Sequence, residues 1–190
     1  MPCGFLFALC KTTCRVCYSS PPLAQIFAAT RTAYPDGSAH AAHPGDSSKV
    51  AIVLHEAVGP DATLNILCNG QPGLAGPLVH WAILSDGKIA SVANETDRAN
   101  HIGLADFGLN NSNTIGITVT GVAFTNEAQT ESLVRLVTDV AERWNIPTSK
   151  IYSHAEVAIP KGRKTDMRQQ APIVRQMVDA VRQRSGKASY

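Results

Sequence analysis

Three short β-branched runs, interleaved with amphipathic helical stretches, limit what this chain can fold into. VAIVLHEAV (50–58) is apolar until it reaches His55 and Glu56, and it reads as a buried strand. TIGITVTG (114–121) alternates Ile, Ile and Val with small or polar residues, the period of a strand. KIYSH (150–154) is a third strand, ending at His154. Between the first two, residues 61–68 suit a short helix stopped by Asn69-Gly70, and 71–78 form a Gly/Pro loop. VHWAILSDGKIASVA (79–93) is a hairpin about Ser-Asp-Gly, since Asp-Gly favours turns that match strand twist.

The helices are equally legible. In 124–147, Leu133, Leu136, Val137, Val140, Ala141 and Trp144 recur at three and four spacing and form one face. Thr125 or Asn126 caps its start, and Pro147 lies just beyond its end. A second amphipathic helix covers 171–184, with Pro172 in its first turn. The order is strand, helix, hairpin, strand, helix, strand, helix. This predicts an α/β fold with a central mixed sheet flanked by helices.

At 190 residues, 44% hydrophobic and 17% charged, the chain suits one globular domain with a short extra segment. The texture changes near residue 46, which predicts an N-terminal extension over 1–45 and a folded domain over 46–190. The extension contains Pro21-Pro22, Pro35-Asp36-Gly37 and Pro44-Gly45, with a short helix expected at 23–32. Net charge is +2, which argues against a nucleic-acid partner. The charge is uneven: residues 131–190 carry 11 Lys/Arg against 6 Asp/Glu, so the C-terminal third is the side to meet an anionic partner. No apolar run reaches the ~20 residues of a membrane span. The first Lys follows rather than precedes the N-terminal apolar stretch, a poor pattern for a secretory signal.

Five cysteines, an odd number, argue against a complete disulfide framework. Cys10, Cys14 and Cys17 have a spacing also used for iron–sulfur clusters or zinc. Nothing downstream repeats a strand–helix pattern often enough to build the large barrel that radical enzymes place around that triplet. These cysteines are read as incidental to an irregular tail.

The chemistry gathers at strand ends. His55 closes the first strand of the domain, His154 the strand after the long helix, and Asp166 the loop SHAEVAIPKGRKTD (153–166). If the two strands are parallel neighbours, both imidazoles reach the carboxyl edge of the sheet, where α/β folds place their sites. Two histidines and an aspartate suit zinc with an open fourth position, the mark of a catalytic rather than a structural site. Lys164, two residues before Asp166, then lies near the metal and can stabilise an oxyanion. The alternative is ordinary: a histidine at a strand end is most often a satisfied structural residue.

Several segments in order resemble the type 2 N-acetylmuramoyl-L-alanine amidases, a family that includes phage lysins, muropeptide-recycling amidases and peptidoglycan recognition proteins. VAIVLHEAV resembles the first strand with its zinc histidine, and VHWAILSDGKI the hairpin. RANHIGLADFGLNNSNTIGI (98–117) resembles the Trp-His-Ala-Gly segment and the strand after it. FTNEAQTESL resembles the start of the long helix, and IPTSKIYSHAEVAIPKGRKTD the segment with the remaining ligands. The resemblance implies a mostly parallel sheet and one zinc ion on His55, His154 and Asp166. It implies hydrolysis of the amide between N-acetylmuramic acid and L-alanine, and a peptidoglycan or muropeptide substrate met by His80, Trp81, His101 and Asn113. A monomer is expected.

The chain departs from the family at two positions. Thr118 stands where many relatives carry a glutamate base, and Val79 where others carry a tyrosine. Glu56 and His101 are the remaining candidates for a proton shuttle. Glu56 directly follows a ligand, so strand alternation would turn it to the other face; His101 is either a substrate contact or a structural residue. A peptidoglycan-binding module without chemistry is the alternative function. For setting, the sequence suits a phage lysin released at lysis, or a cytoplasmic recycling enzyme.

Overall fold

Strand β2 (Ala51–Ala57) lies at the parallel centre of the sheet, with both of its neighbours running parallel to it. The computed structural model of the chain describes residues 15–16, 48–57, 59 and 61–186. The expected helix at 23–32 and Cys3, Cys10, Cys14 and Cys17 lie outside the described residues. Cys68 is disulfide-bonded.

On one side of β2 lies β7 (Thr114–Thr120), in register from Ala51↔Thr114 to Ala57↔Thr120. On the other lies β8 (Ile151–Ser153), with Leu54 opposite Ser153. Beyond β7 come β5 (Trp81–Ile83), parallel to it, and β6 (Ile89–Ser91), antiparallel to β5. β1 (Arg15–Val16) pairs antiparallel with β6 and completes the order β1-β6-β5-β7-β2-β8. The sheet is thus mixed and mostly parallel at its centre, as the sequence predicts.

Strand alternation divides the chemistry between two faces. Ile52 and Leu54, with Ile115, Ile117 and Val119, point to one face. There they pack on α2 (Glu127–Arg143) through Leu133, Leu136, Val137, Val140 and Ala141, and on α4 (Gln170–Arg184) through Ala171, Val174 and Val178. The other face carries Ala51, Val53 and His55 of β2 and Thr114, Gly116, Thr118 and Thr120 of β7. Ala51 and Val53 are covered there by Ile102, Leu109 and Val157, and the β5–β6 part by Leu67 of α1 (Leu64–Asn69) with Val79 and Val92.

Several boundaries differ from expectation for local reasons. α2 starts at Glu127 because the Asn126 side chain accepts from the Gln129 N–H at 2.8 Å, and it stops at Arg143 as Asn145 turns to φ 53°. The 71–78 loop contains a two-stranded hairpin, β3 (Gly70–Gln71) with β4 (Leu74–Ala75). At the β5–β6 turn Gly87 has φ 82°, and a Cβ there would meet the Ala128 carbonyl at 2.7 Å. Last, β8 ends at Ser153, one residue before His154. Ser153 and Glu156 form a reciprocal capping box that starts the four-residue helix α3 (His154–Val157). His154 is therefore the first residue of a helix rather than the last of a strand.

Candidate active site

The parallel pairing of β2 with β8 brings His55 and His154 to the same carboxyl edge of the sheet. The loop after α3 folds back, so Asp166 closes on both. His55 Nδ1 lies 3.1 Å from His154 Nδ1, and Asp166 Oδ2 lies 3.5 Å from the first and 3.3 Å from the second. One donor atom from each residue falls within 4.8 Å of the other two.

Each of the three is held for this arrangement. His154 Nε2 lies 3.1 Å from the Ile102 carbonyl, which can only accept; the His154 proton therefore sits on Nε2 and Nδ1 faces the cluster. Burial pushes His55 down to about 4, against the raising effect of Asp166, and His154 and Lys164 add to the lowering. His55 is thus neutral at pH 7. Burial opposes ionisation of Asp166, but the two imidazoles beside it prevail and hold it below the usual carboxylate range. Two imidazoles and one carboxylate, with their donor atoms converging and little exposed, fit a zinc ion by ligand type and number.

Arg163 ties down the surrounding loops. Its guanidinium donates to the carbonyls of Ile102 at 3.3 Å, Leu104 at 3.0 Å and Ile159 at 2.9 Å. The Ile102 carbonyl that orients His154 is thereby also tied to the loop that delivers Asp166. By sequence Arg163 is one of three cations in KGRK (161–164); its contact with Ile102 spans 61 residues.

A profile of the N-acetylmuramoyl-L-alanine amidase family matches residues 46–169. The chain belongs to the type 2 N-acetylmuramoyl-L-alanine amidase family. No curated protein sequence matches it. Among solved structures, the amidase LysC from Clostridium intestinale is 21% identical, with 70% of this chain covering 85% of that one at a TM-score of 0.54. A mutant endolysin from Bacillus subtilis is 20% identical, covering 72% and 90%, with a TM-score of 0.54. AmpDh3 from Pseudomonas aeruginosa, in complex with anhydromuramic pentapeptide, is 20% identical, covering 80% and 70%, with a TM-score of 0.56. At these identities the structural likeness speaks to the fold, while the profile match assigns the chain to the amidases.

Lys164 is partly exposed on the Asp166 loop, and its charge is felt at His55. Among the described residues no ion pair engages its ammonium. Glu56 lies on the helix-packed face of β2, opposite His55, and accepts from the Ala123 N–H at 2.8 Å. His80 has no exposed surface: its Nδ1 accepts from the Gly116 N–H at 2.9 Å, and Nε2 donates to the Asp97 carbonyl at 3.0 Å. Trp81 is buried against the core and donates to Glu95, which also takes Arg143 and Trp144. Asn113 shapes its own loop, accepting from the Asn110 N–H and donating to the Gly108 carbonyl. His101 is buried directly behind His55, with Nδ1 3.0 Å from His55 Nε2. Burial, then the neighbouring histidines, push its pKa well below 6.5. Thr118, opposite His55 in register, is 1% exposed, and its hydroxyl offers no acid–base group near neutral pH.

Proposed function

We propose that this amidase is zinc-dependent and hydrolyses the amide joining the lactyl group of N-acetylmuramic acid to L-alanine. The observation that carries the reading is the convergence of His55 Nδ1, His154 Nδ1 and the Asp166 carboxylate within 4.8 Å of one another. His55, His154 and Asp166 would hold the ion, and Lys164 serves the reaction beside it. When bound, zinc supplies Lewis acidity, polarising a carbonyl and making water nucleophilic near neutral pH.

The chain's own residues do the rest. Ionised Asp166 supplies the negative charge of the site. His154 is kept in one orientation by Ile102. Lys164 offers a cation to the oxyanion that develops as the amide carbonyl is attacked, a contribution worth about 10²–10³ in rate where it has been removed from other enzymes. Glu56 is engaged with Ala123 on the far face of the sheet and takes no part in proton transfer. His80, Trp81 and Asn113 spend their polar groups within the protein and frame the site rather than contact substrate. The muropeptide held by AmpDh3 supports a substrate of the same class here.

The domain division at residue 46, the monomeric state and the two settings, phage lysin or recycling enzyme, belong to the same proposal. The test is a digest of purified peptidoglycan and of soluble muropeptides, with and without chelator, scoring new L-alanine amino termini against new reducing ends. Chelator-sensitive amino termini without reducing ends are expected. A polymer preference favours the lysin and a soluble-fragment preference the recycling enzyme. Thr118 and Val79, in place of the family's glutamate and tyrosine, favour a second reading as a binding module. Zinc bound with no release of termini would select it.

A further inference from the structure

The histidine network continues past the candidate metal site, and its last member sets the direction of its protons. His55 Nε2 lies 3.0 Å from His101 Nδ1, His101 Nε2 lies 3.0 Å from Thr114 Oγ1, and Thr114 Oγ1 lies 2.6 Å from the Asn110 carbonyl. A carbonyl only accepts, so Thr114 gives its one proton to Asn110. The Thr114 oxygen then accepts from His101, whose proton is on Nε2. Neutral His101 therefore has a bare Nδ1, which accepts from His55 Nε2–H. His55 is left with a bare Nδ1, the atom that faces His154 and Asp166.

The surroundings are built to hold this chain of donors. A Cβ at Gly116 would lie 2.7 Å from His101 Cγ and Nδ1, so β7 carries glycine where the imidazole rests on it. The backbone N–H groups of His101 and Ile102 both donate to Asn111 Oδ1, at 3.1 and 3.0 Å. The ring has one seat and its two nitrogens have distinct partners.

We propose that His101, backed by Thr114 and seated on Gly116, is a positioning residue that sets the tautomer of His55 and so makes Nδ1 its metal-binding atom. This rests on the zinc reading above. Loss of such an outer partner typically weakens metal binding about 10–100-fold.

Two measurements on the full chain test it: long-range proton–nitrogen imidazole spectra of the metal-free protein, and zinc affinity by competition with a chromogenic chelator. Wild type and His101→Asn, whose amide oxygen can stand in for Nδ1, are expected to keep the His55 proton on Nε2. His101→Leu fills the space but accepts nothing, and Thr114→Val removes the group that orients His101. Both are expected to mix the His55 tautomers and weaken zinc about 10–100-fold. A His55 that keeps its Nε2 proton in both variants overturns the proposal, even if zinc affinity falls, because that result marks a packing role. A wild type that binds no zinc overturns the zinc reading instead, and the spectra of the same samples still decide the tautomer.

Discussion

His154 and Lys164 sit ten residues apart and answer to different constraints. His154 is buried, bonded on one ring nitrogen and aimed with the other. Its substitution should be felt by the metal. We expect His55→Ala and His154→Ala each to abolish stoichiometric zinc by elemental analysis; metal retained at one ion per chain would refute the ligand assignment. Lys164 is partly exposed, with no ion pair among the described residues to hold the loop through it. Lys164→Ala should therefore keep zinc and lower kcat about 10²-fold. Unchanged kcat would remove Lys164 from the mechanism.

Among the elements, α2 and α4 act as the support for the sheet edge that carries the site. Leu133 of α2 is 1% exposed within the main core, and Leu133→Ala should cost about 2–5 kcal/mol in urea unfolding. A loss well under 1 kcal/mol would mean that the helix is not anchored there. α3 is tied to α4 by Glu156, which takes Arg175 at 3.0 Å as well as the Ser153 N–H at 2.6 Å. Burial pushes the Glu156 pKa up, but the bonds to Arg175 and Ser153 prevail and the net shift is downward from 4.5. A carboxylate with a lowered folded pKa stabilises fully above its unfolded value and loses that contribution as pH falls through the folded one. The urea midpoints of wild type and Glu156→Gln should thus differ at pH 7, and the gap should shrink as pH falls below 4.5 and close once it has passed the folded value. A constant gap across that range would exclude the carboxylate charge as the cause.

For the molecule as a whole, a metal held by His55, His154 and Asp166 would clamp parts of the chain about a hundred residues apart. Zinc bound only by the folded state raises stability by RT ln(1 + [Zn]/Kd), about 4 kcal/mol at a thousandfold excess over Kd. Chelator should lower Tm, and added zinc should restore it. An unchanged Tm would show that the cluster does not take the metal in the folded protein.

The amino-acid sequence by itself determined the α/β class, the extents of β2 and β7 to within a residue or two, the inward face of α2, and the residues that converge at the candidate site. Those features follow from local periodicity and from side-chain chemistry, both of which can be read along the chain. Where His154 sits was legible in part: the Ser153-x-x-Glu156 box that makes it helical is a local pattern, but it competes with the strand reading of KIYS. The tertiary structure alone decided what His80, His101, Glu56 and Arg163 touch. A histidine has the same letters whether it binds a metal, holds another histidine or latches a strand, and its partners at Thr114 and Gly116 come from the strand they share rather than from spacing. Arg163 reads as one more surface charge until folding brings the carbonyls of Ile102 and Leu104 to it. Hydrogen bonds across tens of residues depend on which strands are neighbours, and that order is set by packing of the whole sheet.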